Sequence, residues 1–339
     1  NEVDNAVEAY AKFATVTTTQ DNGSSSADDI TISVDAGAGE YVIKDDTNSV
    51  DERIKIADVT GEIRVNALGG DDALTVDFGT GDIVNNVRYL GGDPTTGPGD
   101  KLILTGGTFD TVTENLTGAG AGSIGLDADG TPGANDIVIE YTGLEPVDET
   151  GLVVANRVIN VSSGITDAIL EDFGTAGSSR IRSASAAFEE IRFANPTNSL
   201  TINAAGSQVE LAAMDGGFGP TTLTLAGAGA QFTTTADNTA INTVIDAATL
   251  SVDAAGTTSE LGSTAVTLTN DGVLDVDGVP ALTSAAATSG LAAAVGDNKL
   301  YHFGFHTGSD TFQNLDGNGG LLNGGNPTIH PNFEGVGSF

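Results

Sequence analysis

The residues best suited to chemistry in this chain are aspartates set in glycine-rich turns. Asp71, Asp72, Asp77, Asp82, Asp93 and Asp100 lie between Gly69 and Asp100, each in or beside a turn that contains glycine. Calcium takes roughly six to eight oxygen ligands, and carboxylates with turn carbonyls supply them. A second acidic turn, Asp127-Ala128-Asp129-Gly130 with Asn135 and Asp136, has the D-x-D-G opening of a calcium loop but neither its spacing nor its closing glutamate. Calcium is therefore the cofactor to expect, at Asp71, Asp72, Asp77, Asp82, Asp93, Asp100, Asp127, Asp129 and Asp136. The plain structural reading stands beside it: aspartate favours tight turns because its side chain bonds the backbone two residues on.

Other chemistries find less support. His302 and His306 are four apart and would share one face of a strand, with His330 or Asp310 as further ligands. Zinc needs at least three converging ligands, and no second clustered pair exists, so surface or interface histidines are the better reading. There is no cysteine, which excludes disulfides, thiolate catalysis and Cys-ligated metals. No G-x-S-x-G elbow, P-loop or dinucleotide fingerprint is present. The acid pairs Asp45–Asp46 and Asp71–Asp72 admit a polysaccharide-acting β-helix enzyme as an alternative. A net charge of −35 would repel polyanionic sugars, however. The expectation is that the protein is not an enzyme.

The same charge, from 47 acidic against 12 basic residues, argues against nucleic acid as a partner, since phosphates are neutralised by Lys and Arg. It also argues against attraction to anionic lipid. No apolar run reaches the length of about 18 residues that a transmembrane helix needs, so membrane insertion is not expected. Hydrophobic residues make up 39% of the chain, too many for a disordered acidic polymer. The chain begins at Asn1 and its one methionine is Met214. This fits a processed protein or a piece of a longer one, located outside the cell or at its surface.

The elements that must position these residues are mostly strands. Only residues 1–16 read as a helix: Val3, Ala6, Val7, Tyr10 and Phe13 recur at three- and four-residue spacing. From Ile30 onward, short alternating runs are separated by Gly, Asp and Asn. They are Ile30/Ile32/Val34, Ile54/Ile56, Ile63/Val65, Leu74/Val76/Phe78, Leu102/Leu104 and Ile137/Ile139/Tyr141. Tyr141–Gly151, with Pro146 and three acids, breaks the pattern and marks a boundary. The second half repeats itself in Ser199–Gly206, Thr222–Gly229, Thr249–Gly256, Ala265–Gly272 and Val273–Gly278. Each copy is apolar, polar, apolar, then a turn with glycine, as in a solenoid.

The expected organisation is an N-terminal helix over 1–16 as cap or assembly segment and a β-rich region over 17–150. Solenoid repeats follow over 151–298, and a C-terminal cap or contact segment over 299–339. The fold class is all-β, a parallel β-helix (β-solenoid) with a short N-terminal helix; serial β-sandwich domains are the alternative. Chain ends that expose strand edges predict self-association into an end-to-end homopolymer.

Several phrases carry a family resemblance: LGGDDALTVDFGTGD (Leu68–Asp82), DIVIEYTGLEPV (Asp136–Val147) and FEEIRFANPTNSLTINA (Phe188–Ala204) with the repeats after it. They resemble the long, repetitive surface proteins of planctomycetes and related bacteria. In those proteins such segments sit beside haemolysin-type calcium repeats and filamentous-haemagglutinin-like β-helices. The resemblance implies an extracellular structural or adhesive β-helical protein. The strand repeats, the distinct end segments and the absence of a catalytic signature lead to the expected function, a subunit of a filament or surface layer, with the stalk of a large adhesin as the alternative. The chain departs from the calcium-repeat pattern, because the nonapeptide GGxGxDxUx does not occur in tandem.

Overall fold

A computed structural model describes residues 16–19, 27–46, 50–92, 99–131, 136–220, 222–234, 236, 242–253, 265–270, 272–277, 299–301, 314–315 and 321–322. The chain is all-β, and no α-helix occurs among the described residues. None of these residues forms a helix long and apolar enough to cross a membrane. The helix expected over Asn1–Val16 lies outside them, except for Val16, which begins a strand. The chain divides into two compact units. One comprises Asn1–Asn160 with Ser178–Pro196, the other Val161–Gly177 with Thr197–Phe339.

In the first unit the strands are β1 (Val16–Thr19), β2 (Asp29–Asp35), β3 (Glu40–Asp45), β4 (Val50–Lys55), β5 (Ile63–Asn66), β6 (Ala73–Asp77), β7 (Val87–Leu90), β8 (Lys101–Gly118), β9 (Ala121–Asp127), β10 (Ile137–Thr142) and β11 (Val147–Val161). After β12 (Ala168–Asp172), which belongs to the second unit, the chain returns with β13 (Ser178–Ser183) and β14 (Ile191–Ala194). Two parallel ladders organise the unit. One runs β1–β5–β7–β10, the other β2–β6–β8. Each pass of the chain adds one strand to each ladder, so like residues come to lie side by side. Ile30, Leu74 and Leu102 form one rung, and Ile32, Val76 and Leu104 the next, all essentially buried. Burying one such side chain contributes about 1.5–3 kcal/mol.

Two antiparallel excursions interrupt the ladders. The β3–β4 hairpin lies on the free edge of β2. The far half of β8 folds back through β9 onto β10. Ile54 is only half-buried on β4, and Ile56 sits in the 3-10 turn Ile56–Asp58, because this hairpin lies outside the parallel ladders. Phe78 likewise leaves its strand for a 3-10 turn, where its ring meets Phe109 edge-on at 5.2 Å. The segment Tyr141–Gly151 turns at the cis Glu145–Pro146 bond, and β11 then runs through Gly151 to Val161.

The second unit repeats the scheme more simply. Its strands are β12, β15 (Ser199–Asn203), β16 (Gln208–Leu211), β17 (Thr222–Ala226), β18 (Gln231–Thr234), β19 (Asn242–Asp246), β20 (Thr249–Asp253), β21 (Ala265–Thr269), β22 (Val273–Asp277) and β23 (Lys299–Tyr301). From β15 to β22 successive strands alternate between two parallel ladders, β15–β17–β19–β21 and β12–β16–β18–β20–β22–β23. Ile202, Leu225, Ile245 and Leu268 form a buried rung in the first; Val209, Phe232, Leu250 and Leu274 form one in the second. The sequence copies at Thr222, Ala265 and Ser199 thus belong to one ladder, and those at Thr249 and Val273 to the other. Gly227 makes the turn between β17 and β18 at φ +119; a Cβ there would stand 2.7 Å from the Ala205 nitrogen of the preceding pass.

Candidate functional site

Two clusters of buried charge stand out, both in the first unit. The first is built at the start of the β2–β6–β8 ladder. Asp28, Asp72 and Asp100 each immediately precede their strand, and the pairing of Asp29 with Ala73 and of Ala73 with Lys101 stacks them. The backbone confirms the alignment, since Ala73 N–H donates to the Asp28 carbonyl at 2.8 Å and Lys101 N–H to that of Asp72 at 2.7 Å. The carboxylates form a column. Asp72 Oδ1 accepts the Asp28 N–H at 2.7 Å, and Asp100 Oδ1 accepts the Asp72 N–H at 2.8 Å.

The other half of each carboxyl is less well served. Oδ2 of Asp72 and Oδ2 of Asp100 are buried without a hydrogen-bond partner, and so is the Tyr89 hydroxyl. Burial pushes the Asp72 carboxyl up to about 6, with Asp100, Asp28 and Asp71 adding repulsion and the Asp28 N–H opposing. Asp100 is raised for the same first reason. Burial also raises the Tyr89 phenol, and Asp100, Asp72 and Asp28 add to the shift. Gly91 permits this packing: a Cβ there would lie 2.3 Å from the Gly143 carbonyl oxygen and 2.6 Å from Asp100 Oδ2.

The second cluster sits where β8 and β11 run side by side. Glu114, Glu149 and Arg157 are 0% exposed. Arg157 Nη1 bridges Glu114 Oε1 and Glu149 Oε2, and the guanidinium carbon lies 4.7 Å from the centre of the Phe193 ring. Asn156 and Asn160 tie the same stretch of β11 to β8, bonding the Asp110 carbonyl at 3.1 Å and Asn115 Oδ1 at 2.8 Å. Two sealed carboxyls share one guanidinium here. Burial raises Glu149 and lowers Arg157, moving each toward its neutral form. Glu189 is 5% exposed and is pushed up to about 8, first by burial. Tyr141, in register with Tyr89, is raised by burial and by the charges of Glu149 and Glu189.

Of the aspartates expected as calcium ligands, Asp72 and Asp100 come together in the column, with Asp71 half-buried beside them. The rest are scattered. Asp77 Oδ1 accepts the Gly79 N–H at 2.8 Å and caps a 3-10 turn. Asp127 Oδ1 accepts from Asp129 and Gly130, and Asp129 Oδ1 from Thr131, so both carboxylates face backbone donors within their own turn. Asp82 and Asp136 are exposed. Asp93, Asn135, His302, His306, His330 and Asp310 lie outside the described residues. Asp45 is buried while Asp46 is exposed, so that acid pair does not act together. Among the described residues no group of three or more His, Cys, Asp or Glu is placed to hold a metal ion.

Asp28, Glu114, Glu149 and Arg157 were not singled out in the sequence. A signal for Glu114 exists: it takes the inward place in the alternation Val112-Glu114-Leu116, where both neighbours are buried. Asp28 had the weaker signal of an aspartate directly before a strand, as at Asp72. No family model, curated protein or solved structure matches the chain.

Proposed function

We propose that this is an extracellular structural protein, a β-solenoid subunit of a self-assembling filament or surface layer. One observation carries the reading. Each pass of the chain presents a parallel strand edge on which the next pass is laid in register, from β15 to β21 and from β16 to β22. An edge of this kind serves another copy as readily as the next pass of the same chain. Parallel pairing at successive copies also favours a solenoid over serial sandwiches, whose sheets are antiparallel. The buried charged cluster supports a structural role. Arg157, Glu114 and Glu149 are sealed from solvent, and a substrate needs groups it can touch.

Divalent cations have a place in this reading as screening ions. The carboxylates of a −35 chain repel one another, and calcium relieves that repulsion between neighbouring copies. Electron microscopy with light scattering tests the proposal. Filaments or sheets, promoted by calcium, are the expected result. Monodisperse particles with and without calcium would remove it. Turnover of a polysaccharide, abolished by single Asp→Asn changes, would replace it with the enzyme alternative.

A further inference from the structure

We propose that Glu114, Glu149 and Arg157 form a register key, which selects one alignment of β8 with β11 over those displaced by two residues. The inference concerns the first unit alone and does not depend on assembly. Both strands change phase. On β8, Phe109 and Val112 are buried with the half-buried Asp110 and Thr111 between them; on β11, Val154 and Arg157 are buried with Ala155 and Asn156 between them. The two phase changes face each other, since Asn156 Nδ2 donates to the Asp110 carbonyl at 3.1 Å. Further along, Asn160 Nδ2 donates to Asn115 Oδ1 at 2.8 Å. Between these two bonds Arg157 turns inward, where it bridges Glu114 and Glu149 and lies against the Phe193 ring.

Hydrophobic alternation does not set this alignment by itself. Side chains on a strand repeat with period two, so a shift of one residue turns the apolar set outward, whereas a shift of two restores it. Past the phase change β8 buries Val112 and Leu116, and β11 buries Ile159 and Val161. Aliphatic side chains of this kind replace one another at modest cost. The triad breaks the equivalence. A shift of two residues carries Arg157 about 7 Å along β8. It leaves Glu114 sealed between Val112 and Leu116 without its cation, which is a costly arrangement. Stability is the weaker account of the triad. Glu114 Oε2, Glu149 Oε1 and the Nε and Nη2 of Arg157 are buried without a hydrogen-bond partner, and charges so incompletely served recover little of their desolvation cost.

The chain has no cysteine, so introduced pairs report the alignment through disulfide formation. Asn115→Cys with Asn160→Cys reads the native register. Thr113→Cys or Thr117→Cys, each with Asn160→Cys, reads a displacement by two, because diagonal neighbours stand at about 7–8 Å, beyond disulfide reach. With the triad intact, the native pair is expected to oxidise at least about tenfold faster than either displaced pair. The apolar triple variant Glu114→Leu, Glu149→Leu, Arg157→Met should fold and let a displaced pair form within about threefold of the native rate. A folded triple variant that still excludes both displaced pairs would overturn the proposal. If the triple variant does not fold, moving the acid decides the matter. Val112→Glu with Glu114→Val keeps the composition and shifts the carboxyl two residues along β8. The 113–160 pair should then outrun the 115–160 pair. A native pair that stays faster, or a second failure to fold, would show that the triad supplies stability and does not choose the register.

Discussion

The Asp100 carboxylate accepts the backbone N–H of Asp72 at 2.8 Å, across a sequence separation of 28 residues. Asp72 repeats the contact with Asp28 at 2.7 Å, across 44. The differing separations show what the ladder conserves: the β3–β4 hairpin is inserted in one pass and not the next, yet the same side chain ties each pass to its neighbour.

Arg157 is the only cation in direct contact with Glu114 and Glu149 among the described residues, so its removal strands two buried carboxyls. Arg157→Met should destabilise the first unit by about 3–5 kcal/mol near neutral pH. Glu149→Gln imitates a protonated carboxyl and should cost clearly less. Urea unfolding of the two variants side by side checks the order; equal losses would contradict the view that Arg157 serves both buried carboxyls.

The raised carboxyls also set the sign of the pH response. A group whose folded pKa lies above its unfolded value contributes stability that is complete below the unfolded value, about 4, and is lost as pH rises through the folded value. For Asp72 that loss runs up to about 6, and for Glu189 up to about 8. The free energy of unfolding is therefore expected to fall from mildly acid to mildly alkaline pH. Denaturant titrations across that range measure it, and a flat or rising profile would refute the assignment.

Gly91 is placed where no side chain fits. Gly91→Ala puts a Cβ 2.3 Å from the Gly143 carbonyl oxygen and against Asp100, and should cost about 1–3 kcal/mol as an overpacked site. Gly216→Ala, with nothing within 4 Å of its Cβ position, should stay within about 0.5 kcal/mol of the parent. Thermal melting of both variants makes the comparison.

The β4 edge carries Asp51, Arg53 and Lys55, all exposed, and Arg53 pairs with Asp35 at 2.9 Å. Charges on an edge strand discourage another strand from docking there. Arg53→Val with Lys55→Val should increase association at this edge, read by light scattering at fixed protein concentration. Unchanged scattering would show that the hairpin does not guard the edge.

Alternation and turn residues were enough to read about half the described strands of each unit from sequence, because inward Ile, Leu and Val recur with period two and Gly, Asp and Asn mark the turns. Ile30/Ile32, Leu74/Val76 and Leu102/Leu104 needed no tertiary information. Strands such as Gln208–Leu211 and Asn242–Asp246 escaped because their polar residues give a weak alternation, and only pairing with a neighbour defines them. The acidic turns between Gly69 and Asp100 were visible as a group. Their division into a buried column at Asp72 and Asp100, a turn cap at Asp77 and an exposed Asp82 was not. That division depends on which passes lie side by side, and the inserted hairpin hides the register from any fixed spacing. The same holds for Arg157: its neighbours in sequence are ordinary strand residues, and its partners Glu114 and Phe193 arrive from other strands. Local residue pattern determined the strongly alternating strands, and composition the chain's strong negative charge. Tertiary stacking decided which charges lost their water, and burial, more than residue type, sets the chemistry of a carboxyl.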